Sequence, residues 1–186
     1  MTCYPAVAMK VTALSIALLL CACSSAGPYG HSQVYSPLDE EEKAANGAVD
    51  FDPVMAKRSP DQWKGKTVSL FGVVVSRAPG SSGNAEAKLS VRTLEPRNLC
   101  DSSDEDSCRV TVSDREYAVV HALLHLATED DIGEHSLGPQ SLVRVVGTIS
   151  DDVDPSDGEP IIVAKYYRHW PRGYYVTTAA RSLMRR

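Results

Sequence analysis

Thr67-Val-Ser-Leu-Phe-Gly-Val-Val-Val-Ser76 is the stretch on which the fold turns. It is dense in β-branched and apolar residues, as a strand buried against its neighbours requires. Gly72 interrupts it, and a glycine inside a strand marks a bulge or a sharp bend where one strand turns a barrel corner. Leu142-Val-Arg-Val-Val-Gly-Thr-Ile149 repeats the device, with Gly147 inside a second long apolar strand.

Working outward, Gly80-Ser-Ser-Gly-Asn84 reads as a loop, and Ala87-Lys-Leu-Ser-Val-Arg-Thr-Leu94 alternates with Leu89, Val91 and Thr93 on one side. Cys108-Arg-Val-Thr-Val112 alternates again. Ser113-Asp-Arg-Glu116 has the spacing of a capping box and predicts a helix from Tyr117 to about Thr128, with Val120, Leu123, Leu124 and Ala127 at helical spacing. After the strand at 142–149 comes an acidic turn at 151–160, then Ile161-Ile-Val-Ala-Lys-Tyr-Tyr167 as a last strand. The order is strand, strand, strand, helix, strand, strand. It predicts a mainly β protein: an OB-like five-stranded Greek-key barrel with one helix between strands 3 and 4.

The N-terminus has the parts of an export signal. Lys10 supplies charge, Val11 to Leu20 forms an apolar core, and Leu20-Cys21-Ala22-Cys23 follows. The core is shorter than the roughly 20 apolar residues of a spanning helix. The expected organisation is a lipoprotein signal peptide at 1–22, a flexible polar tether at 23–52, and an OB-like domain at 53–186 that ends in an aromatic hairpin and a short tail. Cys23 would carry the lipid, anchoring the chain stably because each buried CH₂ contributes about 0.8 kcal/mol. Met9-Lys10 makes a better signal start than Met1, since Cys3, Tyr4 and Pro5 do not suit a signal n-region. Ser24, where an Asp would favour the inner membrane, points to the outer membrane facing the periplasm.

The lipobox at Cys23, Trp63-Lys-Gly-Lys-Thr-Val-Ser-Leu-Phe-Gly-Val-Val74, the run Leu89 to Pro96, and Leu142 to Ile149 together resemble the Slp-type outer-membrane lipoproteins. The likeness spans about half of the mature chain. It implies an envelope lipoprotein, with no catalytic residues to carry over.

The formal charge is −5 over 186 residues and becomes −6 once Lys10 is lost with the signal. An acidic domain repels phosphate backbones, so nucleic acid is disfavoured as a partner; the membrane, through the lipid, and an envelope protein are the expected ones. With Cys3 and Cys21 removed and Cys23 acylated, Cys100 and Cys108 remain across a polar loop. In an oxidising envelope they read as a disulfide rather than a metal pair, because no histidine lies nearby in sequence and zinc sites use tighter spacing. The acidic run between them lacks the glycine and terminal glutamate of an EF-hand.

Candidate chemistry is sparse. His121 and His125 stand four apart on the expected helix, a spacing that can place two imidazoles on one metal, but Ala122 stands where a zinc protease carries its glutamate. They are read as surface or partly buried histidines, with no metal and no cofactor expected. Serine has no Gly-x-Ser-x-Gly context, and no P-loop or dinucleotide fingerprint occurs. Asp151, Asp152, Asp154, Asp157 and Glu159 crowd one turn, read as solvated, with weak Ca²⁺ binding as the alternative. Tyr166-Tyr-Arg-His-Trp-Pro-Arg-Gly-Tyr-Tyr175 holds half of the chain's Tyr and Trp. Tyr166, Tyr167, Arg168, Trp170, Arg172, Tyr174 and Tyr175 are therefore a candidate ligand or partner surface, suited to stacking on bases or sugars. The alternative is that they complete the barrel core. The tail ending in Arg185-Arg186 suits contact with anionic lipid.

These features predict a non-enzymatic envelope lipoprotein whose OB-like barrel is a binding or structural module. The alternatives are an oligonucleotide- or oligosaccharide-binding OB domain and, more remotely, a metal-dependent hydrolase.

Overall fold

The computed structural model describes residues 35, 37–80, 84–95 and 110–179. The lipidation site Cys23, the cysteines Cys100 and Cys108, and the tail from 180 onward lie outside the described residues.

In chain order the elements are α1 (Asp39–Ala45), β1 (Val49–Asp50), α2 (Pro53–Arg58), a 3-10 turn (Pro60–Gln62), β2 (Thr67–Pro79), β3 (Ala85–Arg92), β4 (Thr111–Val112), β5 (Ala118–Leu124), α3 (Thr128–Asp131), β6 (Leu142–Val153), β7 (Pro160–Trp170) and β8 (Val176–Thr177). No helix among the described residues is long and apolar enough to cross a membrane.

Five strands close into a ring. β2 pairs antiparallel with β3 and with β6, β3 with β5, and β6 with β7, while β5 and β7 run parallel. Numbered among themselves, the barrel strands β2, β3, β5, β6 and β7 follow the order 1-2-3-5-4 and back to 1. That pairing, with the third and fifth strands parallel, is the OB Greek key. Closure leaves the barrel strands without an open edge.

The two glycines sit where the barrel needs them. A Cβ at Gly147 would meet the Val163 carbonyl oxygen, Ile162 Cγ2 at 2.8 Å and Ala164 Cα at 2.9 Å. The β6–β7 register shifts between Val146 and Gly147, so the missing side chain lets β7 cross close. At Gly72 a Cβ would stand 3.0 Å from that of Leu89. Alternate residues of each strand point inward: Val68, Leu70 and Val74 from β2, Leu89 and Val91 from β3, Val120 and Leu124 from β5, Val143 and Val145 from β6. Leu137, fully buried, joins this core from the loop before β6.

A second apolar cluster lies on the outer face of β2, β6 and β7. Phe71, Leu142 and Trp170 point away from the barrel axis and are covered by Val110, Val112, Tyr35 and Tyr175. β4 and β8 form the lid, pairing parallel with each other.

Three expectations are corrected here. The segment from Tyr117 is a strand, not a helix. Its apolar run is buried on the barrel side and half-covered on the other, and such a run fits either period. Ser113 caps no helix: its hydroxyl accepts from the Thr93 amide at 3.1 Å and donates to the Arg115 carbonyl at 3.1 Å. Of the strand expected at 108–112, the described residues form only the short β4, Thr111–Val112, outside the barrel, and β5 takes the place of the third barrel strand. The helix between the third and fourth barrel strands is the single turn α3.

The third correction concerns the tether, whose C-terminal part is folded. Glu41 of α1 has no exposed surface. Its carboxylate accepts hydrogen bonds from the Tyr35 hydroxyl, the Leu38 amide, Arg144 and Arg168. β1 then extends the sheet parallel to the start of β2.

Candidate ligand cleft and histidine cluster

The hairpin between β6 and β7 projects beyond the barrel and faces α2 across an open cleft of about 890 Å³. That volume lies within the range of roughly 300–1,000 Å³ usual for ligand sites. Asp52 fixes one wall by capping α2, its carboxylate accepting from the Met55 amide at 2.9 Å, with Pro53 at the first helical position. Phe51 and Trp63 meet edge to face, centroids 5.9 Å apart, and line the cleft with Tyr117, Val119 and Ile149. Tyr117 is 43% exposed, Val54 60% and Val153 53%, so large apolar surface is open to a ligand from both walls. The charges are sorted by wall. Lys57, Arg58 and Lys64 stand on the α2 side, and Asp151, Asp152, Asp157 and Glu159 on the hairpin.

The cleft therefore lies between the start of the third barrel strand and the loop joining the fourth and fifth. OB-folds bind oligomeric ligands on the face of strands two and three and the loops that border it.

Beside the cleft, on the outer face of β3 and β5, is a cluster that the sequence reading did not assemble. His121 points outward from β5, between the inward Val120 and Ala122, and is only 5% exposed because the hairpin covers it. Its Nδ1 is 3.0 Å from Glu86 Oε1 of β3 and 3.6 Å from Asp154 Oδ2. Its Nε2 is 3.0 Å from Asp157 Oδ2, which also accepts from Lys88 Nζ at 2.8 Å. Burial opposes the charged ring, but the hydrogen bonds to Asp157 and Glu86 and the Asp154 charge outweigh it, so the pKa lies above the ordinary histidine value. Asp157 is held well below the usual carboxylate range by Lys88 first and His121 second.

His125 lies past the end of β5 and is exposed, and both nitrogens of His121 already face carboxylates. The expected helix would have set the two imidazoles on one face; on the strand they part, with His121 buried and His125 exposed. A period-two reading of 118–124 would have put His121 on the same face as Val119 and Leu123. The acidic turn was visible in sequence, but its closure onto His121 was not.

The aromatic segment is not one surface. Trp170 is 2% exposed in the second core, and Tyr175 packs against the same cluster. Tyr167 points inward; its hydroxyl donates to Asp130 at 2.5 Å and accepts from the Ala127 amide, and burial with the Asp130 bond pushes its pKa up to about 12. Arg168 lies over the Trp170 ring at 4.8 Å and pairs with Glu41 at 3.3 Å. Tyr166 is half-buried on the outer face, Arg172 is exposed, and Tyr174, 36% exposed, stacks edge-on with His135 at 5.6 Å.

No protein-family model and no curated protein matches the chain. Among solved structures it is similar to the protein priB from Ralstonia solanacearum, with 12% identity, a TM-score of 0.28, and 56% of this chain and 97% of that one covered. It is similar to a deletion mutant of the single-stranded DNA binding protein from Thermus aquaticus, with 20% identity, a TM-score of 0.31, and 57% and 51% covered. A small single-stranded DNA-binding protein from Streptomyces coelicolor is similar at 16% identity and a TM-score of 0.29, over 57% of this chain and 94% of that one. The strand pairing, rather than these distant likenesses, defines the OB topology.

Proposed function

We propose that this chain is a non-catalytic binding module of the bacterial envelope, held to a membrane by lipid on Cys23, and that its OB barrel takes an oligosaccharide in the cleft between α2 and the β6–β7 hairpin. The cleft itself carries the reading. Its exposed Tyr117 and half-buried Trp63 offer rings on which the apolar faces of sugars stack. Carboxylates on the hairpin wall accept hydroxyl hydrogen bonds, and an uncharged glycan escapes the repulsion of the acidic domain.

Single-stranded nucleic acid is the second reading, favoured by Lys57, Arg58 and Lys64 on the opposite wall. The four carboxylates on the hairpin disfavour a phosphate backbone in the same groove.

Tryptophan fluorescence tests the ligand. In a Trp170→Phe background Trp63 is the sole indole. Titration with neutral N-acetylhexosamine and glucose oligomers is expected to change its emission saturably, and Tyr117→Ala to weaken the response. Flat titrations with sugars alongside salt-sensitive binding of oligothymidylate would replace the first reading with the second. The anchor is tested separately: Cys23→Ser is expected to move the protein from the membrane fraction to the soluble envelope fraction, and unchanged membrane association would reject lipidation there.

A further inference from the structure

We propose that Glu86, His121 and Asp154 form a binding site for one divalent transition cation, zinc in its ligand preference, which clamps the β6–β7 hairpin onto the β3–β5 face. The inference stands apart from which ligand fills the neighbouring cleft.

Geometry carries it. The three donor atoms, one from each residue, lie within 4.8 Å of one another. His121 Nδ1 is 3.0 Å from Glu86 Oε1 and 3.6 Å from Asp154 Oδ2. A tetrahedron with metal–ligand bonds of about 2.0 Å has edges of about 3.3 Å, between those two separations.

Each donor is also oriented. Asp154 is only 10% exposed at its side chain, and its Oδ1 accepts from the amide and hydroxyl of Ser156, leaving Oδ2 to face the imidazole. Asp157 accepts from Nε2 on the far side of the ring, so Nδ1 is the nitrogen turned to Glu86 and Asp154. A carboxylate on the distal nitrogen of a metal-ligating histidine is the usual second-layer support, fixing tautomer and ring orientation. Asp157 is itself held by Lys88 at 2.8 Å.

Charge points the same way. Three carboxylates surround the nearly buried ring and face one ammonium beside it, and a dication would take the place of the proton on Nδ1 and bring one more positive charge to the cluster. One imidazole with two carboxylates suits zinc or manganese better than calcium or magnesium, which favour all-oxygen shells. Glu86, 34% exposed at its side chain, leaves the approach from solvent open and room for water as a further ligand. The ligands come from β3, β5 and the hairpin, so the cation would fix the position of one cleft wall.

The test uses the purified full chain in detergent, stripped with chelator, with free thiols alkylated, and titrated with Zn²⁺ alone. One equivalent is expected to bind, and both His121→Ala and Asp154→Asn to lose it while retaining the wild-type circular dichroism. Asp157→Asn is expected to weaken binding about 10–100-fold, as loss of a supporting carboxylate does. His125→Ala and His169→Ala are expected to leave it unchanged. Zinc should slow amide exchange across residues 154–159 in wild type and not in Asp154→Asn. Should His121→Ala fail to fold, the isosteric Asp154→Asn decides. Retention of the equivalent in Asp154→Asn, its loss in His169→Ala, or no equivalent in wild type overturns the proposal.

Discussion

Replacing Glu41 with alanine should destabilise the whole domain, although Glu41 lies in an acidic run that reads as a polar tether. The carboxylate is wholly buried and meets two guanidinium groups, whose side chains are 13% exposed at Arg144 and 9% at Arg168. Tyr35, whose hydroxyl also donates to it, has its pKa raised above the ordinary tyrosine value by burial and then by Glu41. Alanine would take from both largely buried guanidiniums the carboxylate they share, and breaking a buried pair by removing one partner costs about 3–5 kcal/mol. A domain of this size has roughly 5–15 kcal/mol to lose. At about 2–4 °C per kcal/mol the melting temperature should fall by roughly 6–20 °C. Glu41→Gln keeps an acceptor and should cost less, about 1.5–3 kcal/mol, the worth of hydrogen bonds to a charged group. Urea melts followed by far-UV circular dichroism measure both. Replacing the set together, Glu41→Leu with Arg144→Met and Arg168→Met, should recover much of the loss, because apolar substitutes of similar size need no desolvated charge. A Glu41→Ala midpoint within about 0.5 kcal/mol of wild type, the scatter of surface substitutions, would refute the reasoning and restore residues 37–46 to the tether.

Gly147→Ala should cost about 3 kcal/mol or more, the upper end of overpacking, because its Cβ would meet the β7 backbone; a soluble variant with unchanged melting would show that the crossing is looser than described. Trp170→Ala should cost about 3–5 kcal/mol as a buried ring, whereas Tyr174→Ala should cost under about 1 kcal/mol, and equal losses would contradict their separation into core and surface. Tyr117→Ala should leave the urea midpoint within about 0.5 kcal/mol while weakening sugar binding, and a large stability loss would mean that the ring belongs to the core.

What could be read in advance depended on where the partners lie. β2, β3, β6 and β7 follow from local pattern, since one face of each meets the core and glycine marks each tight crossing. β5 does not. Its apolar residues alternate with others half-covered by the hairpin, and Ser113-Asp-Arg-Glu116 mimics a helix start whose capping hydroxyl is spent on Thr93 and Arg115 instead. The ring order still matches the expected one, because β5 takes the third place in the barrel instead of β4 and the turn α3 follows it before β6. Glu41 was illegible for a different reason: its arginines lie 103 and 127 residues away, and the closing of the ring brings them to it. The aromatic segment shows the limit of composition. Alternation along β7 sends Tyr167 into the barrel and Arg168 and Trp170 to the outer cluster, so residues adjacent in sequence serve different cores. The cleft drew its walls from three distant segments, of which the acidic hairpin alone stood out in sequence.

The most direct test of the binding account is amide chemical-shift mapping of the ¹⁵N-labelled domain with neutral oligosaccharides and, in parallel, oligothymidylate. The expected result is saturable perturbation by a sugar confined to residues 51–64, 117–119 and 149–160, with oligothymidylate silent. Sugar-silent spectra, or perturbations centred on 110–112 and 174–179 at the opposite lid, would contradict it.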